Sequence, residues 1–231
     1  MKESVSFGSA RIDFALEYSE RKTLGITVTP ELNVIVKAPL GANVESIRNK
    51  VLKRAPWILR QQSFFLSFLP KTPSKKYVGG ETHLYLGRQY RLKIILGEEE
   101  LVKLRGEFLE VSTADKASVS ALVKSWYNVQ ANFKLKAIAL PLIERFKKYK
   151  VEPTSIVLRE MPSRWGSCTA KGKIILNPEL IKAPKGCIEY VIIHELCHLI
   201  HYDHTKKFFD LQSKEMKNWQ TWKFKLEKLL A

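Results

Sequence analysis

The chain has 231 residues, 45% hydrophobic and 27% charged, a balance that sustains a folded core and excludes a disordered chain. Its longest apolar runs, "FFLSFLP" and "YVII", fall far short of the roughly 20 residues a membrane span needs, and "MKESVSFGSARIDF" lacks the apolar core of a signal peptide, so we expect a cytoplasmic protein with no membrane partner. The formal charge of +16 is uneven, with 18 Lys and Arg against 13 Asp and Glu in residues 1–115 and 21 against 10 in 116–231; the second half draws polyanions such as nucleic acid or nucleotides, although solvated lysine-rich helix faces carry charge of the same sign.

In chain order, "RIDFALEYS", "TLGITVTP" and "LNVIVKAP" within 11–39 alternate or run apolar with β-branched residues and read as strands. Residues 43–69 then space Val44, Ile47, Val51 and Leu52 for one helical face, with Pro56 a potential kink. "PKTPSKK" at 70–76 is connector-like. Strand patterns return in "ETHLYLGRQYRLKIIL", "LVKLRG" and "EFLEVST". From Lys116 to Lys150 the pattern becomes a long helix with a possible interruption at Pro141. Two short strands, "SIVLRE" and "KIILN", flank the turn-rich "MPSRWGSCTAKG", and helical stretches over about 185–201 and about 205–229, the second with a break inside, complete the chain. The expected class is α+β: a β-rich N-terminal domain with a helical insertion over 1–115, and an α+β domain over 116–231. No internal repeat is apparent. Cys168, Cys187 and Cys197 are odd in number and lack framework spacing, so free thiols are expected.

Four of the five histidines, His194, His198, His201 and His204, fall within eleven positions. In "HELCH", His194 and His198 project from one helical face a turn apart, where both imidazoles can bind one metal ion. Glu195, next to the first, is placed to act on a water rather than to ligate, the HExxH arrangement of zinc hydrolases. The surrounding "CIEYVIIHELCHLI" is apolar nearly all round, so these polar groups would be costly to bury without a partner. A third ligand is needed. On a continuing helix His201 would stand roughly 10 Å from His194, too far to share the ion. His204 can reach it if the helix breaks after about residue 200 and a new one starts near Lys206, with Asp203 and Thr205 as turn and N-cap residues. Cys197 points away from His198 and reads as packing; a thiolate site with Cys168 is the alternative.

The segments "MPSRWGSCTAKGKIILNPEL", "APKGCIEYVIIHELCHL" and "HTKKFF" together resemble the YgjP-like metallopeptidases, relatives of the WLM and SprT-like zincins. Weaker likeness in "RKTLGITVTPELNVIVKAPLG" and "GGETHLYLGRQYRL" extends it over almost the whole chain. The resemblance implies a Zn2+-dependent hydrolase with a minimal zincin-like C-terminal half, His194, His198 and His204 as ligands and Glu195 as general base. Arg164, Trp165, Gly166, Ser167 and Cys168 match its RWGSC segment. Arg164, Trp165 and Ser167 are the substrate-binding candidates: Arg164 for a carboxylate, phosphate or oxyanion, the backbone beyond it for hydrogen bonds. A buried Trp165 and an Arg164 ion pair shaping the turn is the competing reading. "KIILN" would offer an edge to an extended peptide, and Asn177 a turn or cap.

The leading expectation is a zinc metallopeptidase acting on peptides or proteins, including proteins held on nucleic acid. A nucleoside triphosphate pyrophosphatase is the alternative, and a nucleic-acid binder with a structural zinc the third. A groove beside an unpaired strand distinguishes the first; several Lys or Arg converging on the metal distinguish the second.

Overall fold

Alternating apolar positions build the first sheet. Strands β1 (Lys2–Phe7), β2 (Ala10–Ser19), β3 (Gly25–Val28) and β4 (Val34–Pro39) lie in the order β1-β2-β4-β3. The β2 and β4 strands run parallel, and the outer pairs are antiparallel. Ile12, Phe14 and Leu16 of β2 and Val34, Val36 and Ala38 of β4 point to one face and are buried there with Ile47, Val51, Ala55 and Ile58 of helix α1 (Val44–Leu66), the period of two meeting a period of three to four. These coordinates are a computed structural model and describe residues 2–8, 10–29, 31–66, 75–161 and 164–230. The connector expected at 70–76 falls, up to residue 74, outside them.

The same topology then recurs. Strands β5 (Thr82–Tyr85), β6 (Arg88–Leu96), β7 (Leu101–Arg105) and β8 (Phe108–Thr113) lie in the order β5-β6-β8-β7, again with the middle pair parallel, and lead into helix α2 (Val119–Phe146). The chain thus contains a ββββα unit twice, a repeat that residue identity does not reveal.

Compact units divide at Met1–Thr72 and Pro73–Leu230, not near residue 115. Strands do give way to helix at 115, but the core does not divide there. The first turns of α2 bury Val119, Val123 and Tyr127 with Leu92, Leu109 and Val111 of the second sheet, and its later turns bury Leu135, Ala139 and Phe146 in the same continuous core as the C-terminal helices. The Leu86 N–H donates to the Ile181 carbonyl at 2.8 Å, and the Tyr127 hydroxyl to the Leu84 carbonyl at 2.6 Å. Pro141 does not interrupt α2, nor Pro56 α1. Both prolines are exposed, and the carbonyls they leave unbonded lie four residues back, at Ala137 and Leu52, also on exposed positions.

The remaining strands are β9 (Ser155–Leu158), β10 (Gly166–Cys168) and β11 (Lys173–Leu176), in the order β10-β11-β9. The "KIIL" strand is therefore central, antiparallel to β10 and parallel to β9; its edge is not available to a peptide. The two edges belong to β9 and to β10, the latter in the segment whose sequence reads as a turn. Helices α3 (Lys185–Cys197), α4 (Lys206–Glu215) and α5 (Trp219–Leu230) complete the unit. Among the described residues no helix is long and apolar enough to cross a membrane.

Candidate metal centre

Helix α3 is buried on nearly every side, with Ile188, Ile192, Leu196 and Cys197 fully enclosed. It stops at Cys197. The N–H groups of Leu199 and Ile200 bond three residues back, to Leu196 and Cys197, a tightened turn that spends the last carbonyls of the helix. The chain turns through 201–205 and re-enters a helix at Lys206, with Thr205 extended at the N-cap position but making no side-chain cap bond. This turn carries His204 back over α3.

The three imidazoles converge. Ring centroids lie 5.0 Å apart for His194–His198, 5.0 Å for His194–His204 and 4.6 Å for His198–His204, and a ligand atom from each lies within 4.8 Å of the other two. The Nε2 atoms of His194 and His204 are 3.1 Å apart. Zinc–nitrogen bonds of about 2.0–2.1 Å in a tetrahedral arrangement hold donors roughly 3.4 Å apart, so the spacing fits such an ion.

The far nitrogens of two rings are already committed. His194 Nδ1 lies 3.1 Å from Gln212 Oε1, and His198 Nδ1 lies 3.2 Å from the His201 carbonyl oxygen. Both partners accept, so each Nδ1 carries the proton and each Nε2 lone pair faces inward. Burial, reinforced by the neighbouring imidazoles, pushes His194 down to about 4 and also lowers His198. Neutral rings of this tautomer are the metal-binding form. Phe208, fully buried, lies 5.0, 4.6 and 4.7 Å from the three rings and forms their floor.

Glu195 is 5% exposed. Burial pushes it up to about 8, against the charge of Arg164 and the backbone N–H of Cys168, which pull it down. The RWGSC segment thus frames this carboxylate. Gly166 approaches it so closely that no side chain fits between them, and Asn177, buried, donates to the carbonyls of Met161 and Arg164 at 2.9 and 3.1 Å while accepting from the Glu179 N–H at 3.2 Å. Asn177 is both the expected cap and a tie to the backbone at Met161 and Arg164.

A cleft of about 510 Å³ opens over these groups, lined by Arg164, Trp165, Ser167 and all of β10, by Tyr190, His194, Glu195 and His198, and by Tyr202 and His204. Arg164 is exposed and, among the described residues, makes no ion pair. Trp165 is half-buried on the cleft wall. His201 stands outside the cluster and contributes its carbonyl alone. His83 sits in the second sheet, 3.2 Å from Glu81. Cys197 is enclosed, its thiol pushed up to about 12 by burial, and no cysteine joins a metal-capable group among the described residues.

A family model described as YgjP-like, metallopeptidase domain, matches residues 22–229. The chain belongs to the YgjP-like family. No curated protein matches it. For this YgjP-like chain the family implies a metal, and the histidine cluster is where the donors for one meet. Gln212, Phe208 and the His201 carbonyl escaped sequence reasoning. The signal for two of them was present: His204, Phe208 and Gln212 recur every four residues, so a helix entered at His204 presents all three on one face.

Proposed function

We propose that the protein is a zinc-dependent metallopeptidase that cleaves an extended peptide laid along β10. The observation that carries this reading is the convergence of three imidazoles, two of them with Nδ1 committed and Nε2 turned inward, on an open cleft beside a buried carboxylate. His194, His198 and His204 would hold the ion, leaving the fourth position free. Zinc, when bound, supplies the Lewis acid that makes water a nucleophile near neutral pH and polarises the scissile carbonyl.

The chain's own groups do the rest. Glu195 takes the proton from the attacking water and returns it to the leaving amine. The residues of β10 are paired on one side with β11 and line the cleft, so the other side is offered to a substrate backbone as an added strand. Arg164 at the rim carries positive charge towards the oxygen that becomes negative. A polyphosphate would call for several cations, yet among the described lining residues Arg164 is the single Lys or Arg, and Lys171 and Lys173 are not part of the lining. This supports the peptidase over the nucleotide hydrolase. A structural zinc would have a closed fourth position rather than an open cleft.

The test is a zinc-loaded preparation assayed in parallel on a peptide library and on nucleoside triphosphates, with and without chelator. Chelator-sensitive peptide cleavage without triphosphate turnover is the expected result. Turnover of triphosphates with no peptide cleaved would overturn the proposal.

A further inference from the structure

One concavity of the N-terminal unit lies between the edge strand β3 and helix α1, far from any histidine in sequence. It measures about 650 Å³ and is lined by Lys22, Lys50, Lys53 and Arg54, with Trp57 on its wall and Leu24, Ile26 and Ile47 beneath. Among the described residues no carboxylate lines it. The four cations are exposed, Trp57 is half-buried, and among the described residues none of the four is in an ion pair.

The repeated ββββα topology supplies an internal control. Asn43 and Asp115 occupy the same place, each accepting from the N–H two residues on, at 2.8 Å from Glu45 and 2.9 Å from Ala117. Aligning them puts the buried Ile47, Val51 and Ala55 on the buried Val119, Val123 and Tyr127. Lys50, Lys53, Arg54 and Trp57 then fall on Leu122, Ser125, Trp126 and Val129. In the turn between the second and third strands, Arg21-Lys22-Thr23 corresponds to Glu98-Glu99-Glu100. The fold therefore does not require positive charge on this face; its second copy has none on the helix and the opposite sign in the turn.

We propose that this face of the N-terminal unit binds single-stranded nucleic acid. Ser46, Lys50, Lys53, Arg54 and Trp57 follow one side of α1 over about 16 Å, a length that spans successive phosphates rather than one. Unpaired cations beside an indole on an apolar floor match the requirements of a strand whose phosphates meet lysine and arginine while an unstacked base lies on an aromatic ring. A base held in a duplex does not reach a wall residue such as Trp57. This inference stands apart from the hydrolase reading and shares no residue with it.

The test is fluorescence anisotropy of the full chain with labelled oligo-dT and oligo-U of about a dozen nucleotides, over a salt series. The triple variant Lys50→Ala, Lys53→Ala, Arg54→Ala should weaken binding roughly tenfold or more and flatten the log–log salt slope by about 2. Trp57→Ala should weaken it several-fold with the slope unchanged. The control variant Lys103→Ala, Lys116→Ala, Lys136→Ala removes equal charge from the other unit and should bind like the parent. Equal loss in the two triple variants, or displacement of the oligonucleotide by inorganic pyrophosphate at equal phosphate concentration, would overturn the proposal. So would failure of the parent chain to bind either oligonucleotide at low salt.

Discussion

Gly166 lies against Glu195: a methyl group on its α carbon would stand 2.7 Å from the carboxylate Oε1 and 2.9 Å from Cγ. The glycine of the RWGSC segment is therefore a spacing device. It lets β10 run beside the buried carboxylate without displacing it.

Replacing that glycine should separate activity from metal binding. In Gly166→Ala the added methyl forces Glu195 or β10 to move, and displacements of about 1 Å cost on the order of a hundredfold in rate. The ligands are untouched, so zinc content should stay at the parent level while peptide hydrolysis falls by that order. A variant with parent activity would show that the close approach is incidental.

Gln212 is fully buried and accepts from His194 Nδ1, while its own Nε2 has no protein partner among the described residues. It spends burial on orienting one imidazole. We expect Gln212→Leu to lower zinc affinity about 10–100-fold, measured by competition against a chelator of known affinity, and Gln212→Glu to keep or raise it, since a carboxylate is the stronger acceptor. Unchanged affinity in Gln212→Leu would remove the residue from the site.

The two late histidines differ in what they offer: His204 its ring, His201 its carbonyl. His204→Ala should lose stoichiometric zinc in metal analysis, and His201→Ala should retain it, because the backbone acceptor for His198 survives the substitution. The reverse pattern would contradict the ligand assignment.

The end of α4, which carries Phe208 and Gln212, is tied to the end of α2 through Glu215. Its side chain is 2% exposed and meets Arg145 at 3.1 Å, Lys148 at 2.8 Å and the Tyr149 hydroxyl at 2.5 Å. Burial alone pushes Glu215 up, but hydrogen bonds from Lys148 and Tyr149, with the charges of Lys148 and Arg145, together hold it below the ordinary carboxylate value. A depressed folded-state value stabilises fully above the unfolded-state pKa of about 4.3, and that contribution is lost as pH falls below it and through the folded value. Glu215→Gln should lower stability by about 1–3 kcal/mol at neutral pH, less near pH 3, as read from thermal melts across that range. An equal difference at both pH values would contradict the ionic account.

Much of the site was legible because its signals are local. His194, Glu195 and His198 follow from helical spacing alone, and the turn that delivers His204 follows from polar residues after an apolar helix. What escaped depends on partners distant in sequence. Gly166–Cys168 is a three-residue strand of small residues whose extended form comes from pairing with Ile174–Leu176, so its own sequence reads as a turn; the edge was consequently assigned to β11, which is central. Lys2–Phe7 is a half-exposed edge strand with little alternation to detect. The division at 72/73 was missed because α2 packs on a sheet at one end and on helices at the other, and periodicity reports that a face is apolar without saying what covers it.

The central claim, that three histidines hold a zinc ion which Glu195 serves as base, is tested most directly by measuring zinc content and peptide hydrolysis on one preparation of Glu195→Gln. The amide keeps the shape of the carboxylate and cannot take the proton. The account predicts one zinc per chain, as in the parent, with hydrolysis reduced by about 10²–10⁴-fold; a variant that keeps its zinc and full activity would contradict it.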